Sequence, residues 1–203
     1  MVFPPCVAFL NIIFFAEKMK EAFFESFLRN RRLTRVLPYI RNYGDCRLLD
    51  IGCGWNYALL QAVEPYIFRG HGLDFKVPEL QRGRLFVQQF NINDKLPFAD
   101  DEFDVVTMLA VLEHLAEPRA VLREVRRVLQ PQGKLLLTVP SHLAKPVLEF
   151  LAFRLGLVSA DEIRDHKRYF NRTDLVEILS EAGLQIVLHQ YFQLGMNNFC
   201  VAS

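Results

Sequence analysis

Two rhythms of apolar and polar positions alternate along the chain. Short apolar runs with the character of buried strands appear at Arg47-Leu48-Leu49-Asp50-Ile51, Gly70-His71-Gly72-Leu73-Asp74 and Arg84 to Phe90. Others follow at Phe103 to Leu109, Lys134 to Val139, Leu184 to Phe192 and Asn197 to Val201. Between them lie stretches whose apolar residues recur every three or four positions, the spacing of one helix face. Ala22, Phe23, Phe27 and Leu28 define such a face from Lys18 to Leu37, and Pro38 is expected to end it. Tyr57 to Val63 reads as the helix that follows the first strand. Pro118 suits the first turn of a helix with a stripe of Val121, Leu122, Val125, Val128 and Leu129, broken by Pro131-Gln132-Gly133. A last helix spans Asp174 to Glu181, closed by Gly183.

Strands that alternate with helices imply a mostly parallel sheet with right-handed crossovers, and its ligands belong at the carboxyl ends of the strands. The chain divides into an N-terminal helical segment, 1–40, and one α/β domain, 41–203, with a cap insertion at about 141–170. The cap carries the apolar run Val147, Leu148, Phe150, Leu151, Phe153 and Leu155, read as a helix packed on the core, with cover for an apolar acceptor as the alternative. Residues 2–16 are apolar apart from Asn11 and contain Pro4-Pro5. That stretch falls short of the roughly 20 apolar residues needed to span a bilayer and lacks the basic start of a signal peptide. One reading places the start of translation at Met19; intact mass tests it.

Composition narrows the function. At 203 residues and 51 % hydrophobic content, one sheet covered on both faces can be filled, but a second full domain cannot. The 24 basic and 23 acidic residues nearly cancel, so the partner is expected to be a small molecule and not nucleic acid. Cys6, Cys46, Cys53 and Cys200 have neither zinc-ligand nor disulfide spacing, which implies a reducing, cytoplasmic setting and no metal. Arg29, Arg31, Arg32 and Arg35 beside Phe23, Phe24 and Phe27 allow peripheral membrane contact, against the plainer reading of a solvated basic helix end. Oligomeric state is not encoded.

The chemistry concentrates after the first strand. Gly52 and Gly54 flank Cys53 where strand turns to helix, so a ligand can approach backbone N–H groups there. A nicotinamide fingerprint would place a third glycine at Tyr57 and an apolar residue at Asp50, which weakens an oxidoreductase reading. Asp74, at the end of the second strand, can accept hydrogen bonds from both hydroxyls of a ribose; its alternative is an ordinary solvated aspartate.

These residues resemble the class I S-adenosylmethionine-dependent methyltransferases, from Leu48 to Val201. Leu48 to Gly54 is similar to the family's first motif and Gly72-Leu73-Asp74 to its second. Leu96-Pro97-Phe98 through Phe103-Asp104-Val105-Val106 resembles the approach to strand four, and Val111-Leu112-Glu113-His114-Leu115 the signature after it. Arg127-Val128-Leu129 and Pro131-Gln132-Gly133-Lys134-Leu135 resemble the motif before strand five. The resemblance implies a Rossmann-like three-layer α/β sandwich with a mostly parallel seven-stranded sheet, the last strand antiparallel. It implies S-adenosylmethionine as cofactor, its methionine end at Asp50, Gly52, Cys53 and Gly54, its ribose on Asp74 and its adenine against Phe75, Asn91 and Ile92. Asn91 stands where an aspartate is common, and its carbonyl can accept the same bond. Leu109 and Ala110 would face the sulfonium and the acceptor.

Methyl transfer to a neutral hydroxyl gains from a base, which makes His142, directly after strand five, and His166, in the cap, the candidate catalytic residues. Solvated loop histidines are the alternative for both. Glu113 and His114 are expected to satisfy backbone groups of their loop. The implied activity is methyl transfer to a small-molecule, sugar or lipid-precursor acceptor, at oxygen, in the manner of quinone-biosynthesis and polysaccharide-cluster methyltransferases. A non-catalytic binding module on the same fold is the second reading, opposed by intact Asp50, Gly52, Gly54 and Asp74.

Overall fold

The computed structural model describes residues 26–154 and 159–203. The apolar stretch 2–16, Met19, Phe23, Phe24 and Leu155 lie outside the described residues. Helix α1 is followed from residue 26 to residue 43, so Pro38 does not end it. Proline removes one helical N–H, a local cost, whereas Val36 and Ile40 on either side are fully buried against the sheet. Burial decides the outcome.

The sheet is built from β1 (Cys46–Ile51), β2 (Ile67–Asp74), β3 (Leu80–Arg82), β4 (Leu85–Gln89), β5 (Phe103–Leu109), β6 (Leu129–Pro140), β7 (Ile186–Phe192) and β8 (Asn197–Ala202). Its order is β3-β4-β2-β1-β5-β6-β8-β7. The central run from β4 to β6 is parallel, and β8 lies antiparallel to both β6 and β7. The expected antiparallel last strand is present, but the sheet has eight strands and not seven. The addition is β3, an exposed edge strand of three residues paired antiparallel to β4 through the turn at Gly83, too short for an alternating pattern to announce it.

Helices cover both faces. α2 (Ala58–Val63) and α1 pack on Leu48, Val105, Leu136 and Val201. α3 (Pro118–Val128) and α6 (Arg172–Glu181) pack on Leu49, Ile51, Val106, Met108 and Leu137. Neighbouring strand residues thus serve opposite layers, as the pleat requires. The stripe Val121, Leu122, Val125, Val128 and Leu129 is buried throughout. However, α3 ends at Val128 and β6 starts at once, so Pro131-Gln132-Gly133 breaks no helix. Those residues form an irregularity in β6, whose pairing with β5 slips between Phe103↔Leu129 and Val105↔Lys134. Arg127 binds α3 to the preceding loop, donating to the carbonyls of Phe98 at 2.8 Å and Leu96 at 3.1 Å and pairing with Asp100 and Glu124.

After β6 the chain leaves the sheet, forms α4 (Ala144–Phe153) and α5 (Ala160–Asp165), and returns to α6. Leu148 and Leu151 pack with Ala152 and Ile163, while Val147, Phe150 and Phe153 stay exposed. α6 is fixed by a capping box in which Asn171 accepts from the Asp174 N–H and the Asp174 carboxylate accepts from the Asn171 N–H. Fully buried Asn198 donates to the carbonyls of Val139 and Phe170, fastening the returning chain to the end of β6. No described helix is long and apolar enough to cross a membrane.

Candidate active site at the carboxyl edge of the sheet

β1 lies between β2 and β5, and the connections leave it in opposite directions, so the switch point of the sheet, the edge at which such sheets take ligands, falls where Ile51, Asp74 and Leu109 end their strands. Gly52 and Gly54 turn the chain with φ of +74° and +70°. A Cβ on Gly52 would stand 2.3 Å from Val111 Cγ2, so glycine is required both by backbone conformation and by the close approach of the loop after β5. Gly52 and Cys53 donate their N–H groups to the Leu73 carbonyl. The Gly54 N–H is aimed at Asp74 Oδ2, 3.0 Å away, and Asp74 Oδ1 accepts from the Lys76 N–H at 2.9 Å. Asp74 is therefore no solvated aspartate. It is buried and braces the glycine turn, and each of its oxygens keeps a second acceptor position.

Asp50 pairs in register with Gly72 on one side and Thr107 on the other. Its Oδ1 accepts from Thr107 Oγ1 at 2.6 Å, and the residue is 3 % exposed. Burial pushes its carboxyl up to about 7 despite the threonine, and Asp74 adds repulsion. A cation at this edge would restore the charged form. Thr107 escaped the sequence reading because a polar residue inside a buried strand shows its purpose only through the register opposite Asp50.

The adenine-side residues are open. Phe75 is 60 % exposed, with Lys76 Nζ 4.8 Å from its ring centroid and its carbonyl held by Gln89 Nε2. Asn91 is exposed and turns its Oδ1 to the N–H and amide of Asn93, and Ile92 is buried beside it. Leu109 is half-buried, and Ala110 takes a positive φ of 59° while its N–H donates to the Thr138 carbonyl. Cys53 is buried and unpaired, and burial pushes its thiol far up, so it serves packing.

Beyond Ala110, a short turn at Leu112–His114 brings Glu113 inward. Glu113 is 1 % exposed; its carboxylate takes a backbone hydrogen bond within its own loop, and its Oε2 has no hydrogen-bond partner. The returning cap lies against this turn: the Lys167 N–H donates to the Glu113 carbonyl, and Arg168 to that of Leu115. His166 thereby meets His114 with ring centroids 4.8 Å apart. Burial, with His114 and Arg32 nearby, holds His166 down at about 4, so its ring is neutral at neutral pH. His114 Nδ1 meets Asp165 Oδ2 at 2.9 Å, and His166 Nδ1 meets the Tyr169 hydroxyl at 3.3 Å. His142 is not part of this group; it pairs with Asp174 Oδ2 at 3.0 Å on the first turn of α6. The two candidate histidines stand in different surroundings.

The residues present fit a ligand carrying an ammonium, a ribose and a flat base: a buried carboxylate, a braced glycine turn with a second carboxylate, and an open aromatic face. Comparison with known proteins agrees. Residues 15–189 match the family described as a methyltransferase domain. The uncharacterized methyltransferase YcgJ of Bacillus subtilis is 32 % identical over 112 residues, covering 51 % of this chain and 44 % of that protein. The chain thus spans less than half of that relative. The ubiquinone biosynthesis O-methyltransferase of Aeromonas salmonicida is 26 % identical over 171 residues, covering 74 % and 71 % respectively. Among solved structures, the methyltransferase complexed with the Trm112 methyltransferase activator from Haloferax volcanii shares the fold, with a TM-score of 0.66 at 19 % identity over 85 % of this chain and 90 % of that one.

Proposed function

The chain belongs to the S-adenosylmethionine-dependent methyltransferase family, and from that premise we propose that it methylates an oxygen of a small organic acceptor. The cofactor supplies an electrophilic methyl group on a sulfonium. In this reading Asp50 holds the cofactor's ammonium, the turn at Gly52, Cys53 and Gly54 admits its methionine end, and Asp74 accepts from the ribose. Phe75, Asn91 and Ile92 line the base, and Leu109 and Ala110 border the reacting groups. The acceptor oxygen attacks the methyl carbon, the S–CH3 bond breaks with its electron pair returning to sulfur, and the hydroxyl proton leaves. Holding the two groups close and away from water supplies much of the rate.

One observation supports oxygen over other acceptor atoms: the turn with Glu113 and His114 comes soon after Ala110, and His166 meets it from the cap, a polar group that can orient and polarise a hydroxyl. The Aeromonas relative is an O-methyltransferase, which points the same way. In this reading the described part of the cap borders the acceptor, and exposed Val147, Phe150 and Phe153 give it an apolar rim. The test is a panel of phenolic, sugar and lipid-precursor alcohols incubated with S-adenosylmethionine. Acceptor-dependent S-adenosylhomocysteine and an O-methyl signal in the product are expected. S-adenosylhomocysteine binding with no turnover across the panel would favour the non-catalytic binding module.

A further inference from the structure

Among the described residues, one carboxylate oxygen of Glu113 and one ring nitrogen each of His114 and His166 lie within 4.8 Å of one another. This is a mixed oxygen and nitrogen donor set converging from two parts of the chain, the turn after β5 and the end of the cap. The orphaned Oε2 of buried Glu113 is a second, independent sign, because a buried carboxylate oxygen without a partner persists at a cost unless something pairs with it. The outer partners match those of metal-binding histidines. Asp165 engages His114 Nδ1 and Tyr169 engages His166 Nδ1, so each ring is oriented by a partner on one nitrogen.

We propose that Glu113, His114 and His166 form a site for a divalent first-row transition cation, bound through one carboxylate oxygen and two imidazole nitrogens. Nitrogen donors favour such a cation over magnesium or calcium. Three protein ligands leave a coordination position open. Its use, though not the binding itself, rests on the methyltransferase reading: the open position takes the acceptor hydroxyl, the O–H bond breaks with its proton passing to solvent, and the metal-held oxygen attacks the methyl carbon. The expectation of no metal rested on cysteine spacing, which carries no information about this group.

The experiment titrates chelator-treated full-length chain with Zn2+ and, separately, Co2+, following heat and the cobalt absorption. One cation per chain is expected, weakened at least ~10-fold by Glu113→Gln and by His166→Ala, and unchanged by His189→Gln on β7. The isosteric Glu113→Gln, which removes a buried charge, should also unfold no earlier than the wild type. The same samples are titrated with S-adenosylhomocysteine. Cofactor binding without cation binding overturns the site and leaves methyl transfer standing; cation binding without cofactor binding supports the site and overturns its assigned use. Cation binding unaltered in Glu113→Gln overturns the ligand set.

Discussion

Asp50 is the residue on which protonation and cofactor binding meet. Its folded-state carboxyl sits near 7, above the ordinary value of 3.8, so the folded chain holds this proton more tightly than the unfolded chain does. Its contribution to stability is present below the unfolded value and is lost as pH rises through about 7. An ammonium bound beside Asp50 reverses the preference, and binding must then expel the proton. S-adenosylhomocysteine affinity is expected to rise as pH approaches 7 from below, with proton release detectable by calorimetry in buffers of different ionisation enthalpy. Asp50→Asn should abolish the release. Affinity and released protons that do not vary with pH would separate Asp50 from the ammonium. The residues named from sequence at this edge, Asp50, Gly52, Gly54 and Asp74, were legible because a glycine turn between strand and helix leaves a local signature. Thr107 and the orphaned Glu113 were not, since a register partner and an absent hydrogen bond exist only in three dimensions.

The segments that frame the edge owe their positions to a few anchoring residues. Arg127 reaches from α3 to the carbonyls of Leu96 and Phe98 and to Asp100 and Glu124, joining in one side chain two stretches that resemble separate family motifs. Phe98 packs edge-on against Phe103, 4.8 Å between centroids, so this loop is also the lid of the core under β5. Arg127→Met keeps the stem but leaves two carbonyls without their charged donor, and is expected to cost about 2–3 kcal/mol. Chemical denaturation should show that loss while S-adenosylhomocysteine affinity stays within a factor of about two, because no bond of Arg127 reaches Asp50, the glycine turn or Asp74. Unchanged stability would mean that the loop is held by its aromatic packing alone. Elements were read from sequence where periodicity was undisturbed: β5 was recovered end to end and α3 at its start. Pro38 and β3 were misread or missed because tertiary burial and edge pairing, not local pattern, decide them.

For the molecule as a whole, one strand order gathers residues distant in sequence onto a single edge: the β1 turn, the ends of β2 and β5, and the returning cap. Alternation and crossover handedness give a mostly parallel sheet covered on both faces, which is why the architecture could be anticipated, whereas the strand order shows only in the fold. The cap's return could not, and with it the meeting of His166 with Glu113 and the separate pairing of His142 with Asp174. Ligand that binds only the folded chain stabilises it: S-adenosylhomocysteine at a hundredfold excess over its dissociation constant should add about 2.7 kcal/mol, an upward shift of about 5–10 °C. The most direct test of the account is calorimetric titration of the full-length protein and of Asp74→Ala with S-adenosylhomocysteine, with circular dichroism to confirm that the variant folds. The account predicts micromolar binding to the wild type that disappears in the folded variant. No binding to the wild type, or equal binding to both, would contradict the placement of the cofactor at this edge.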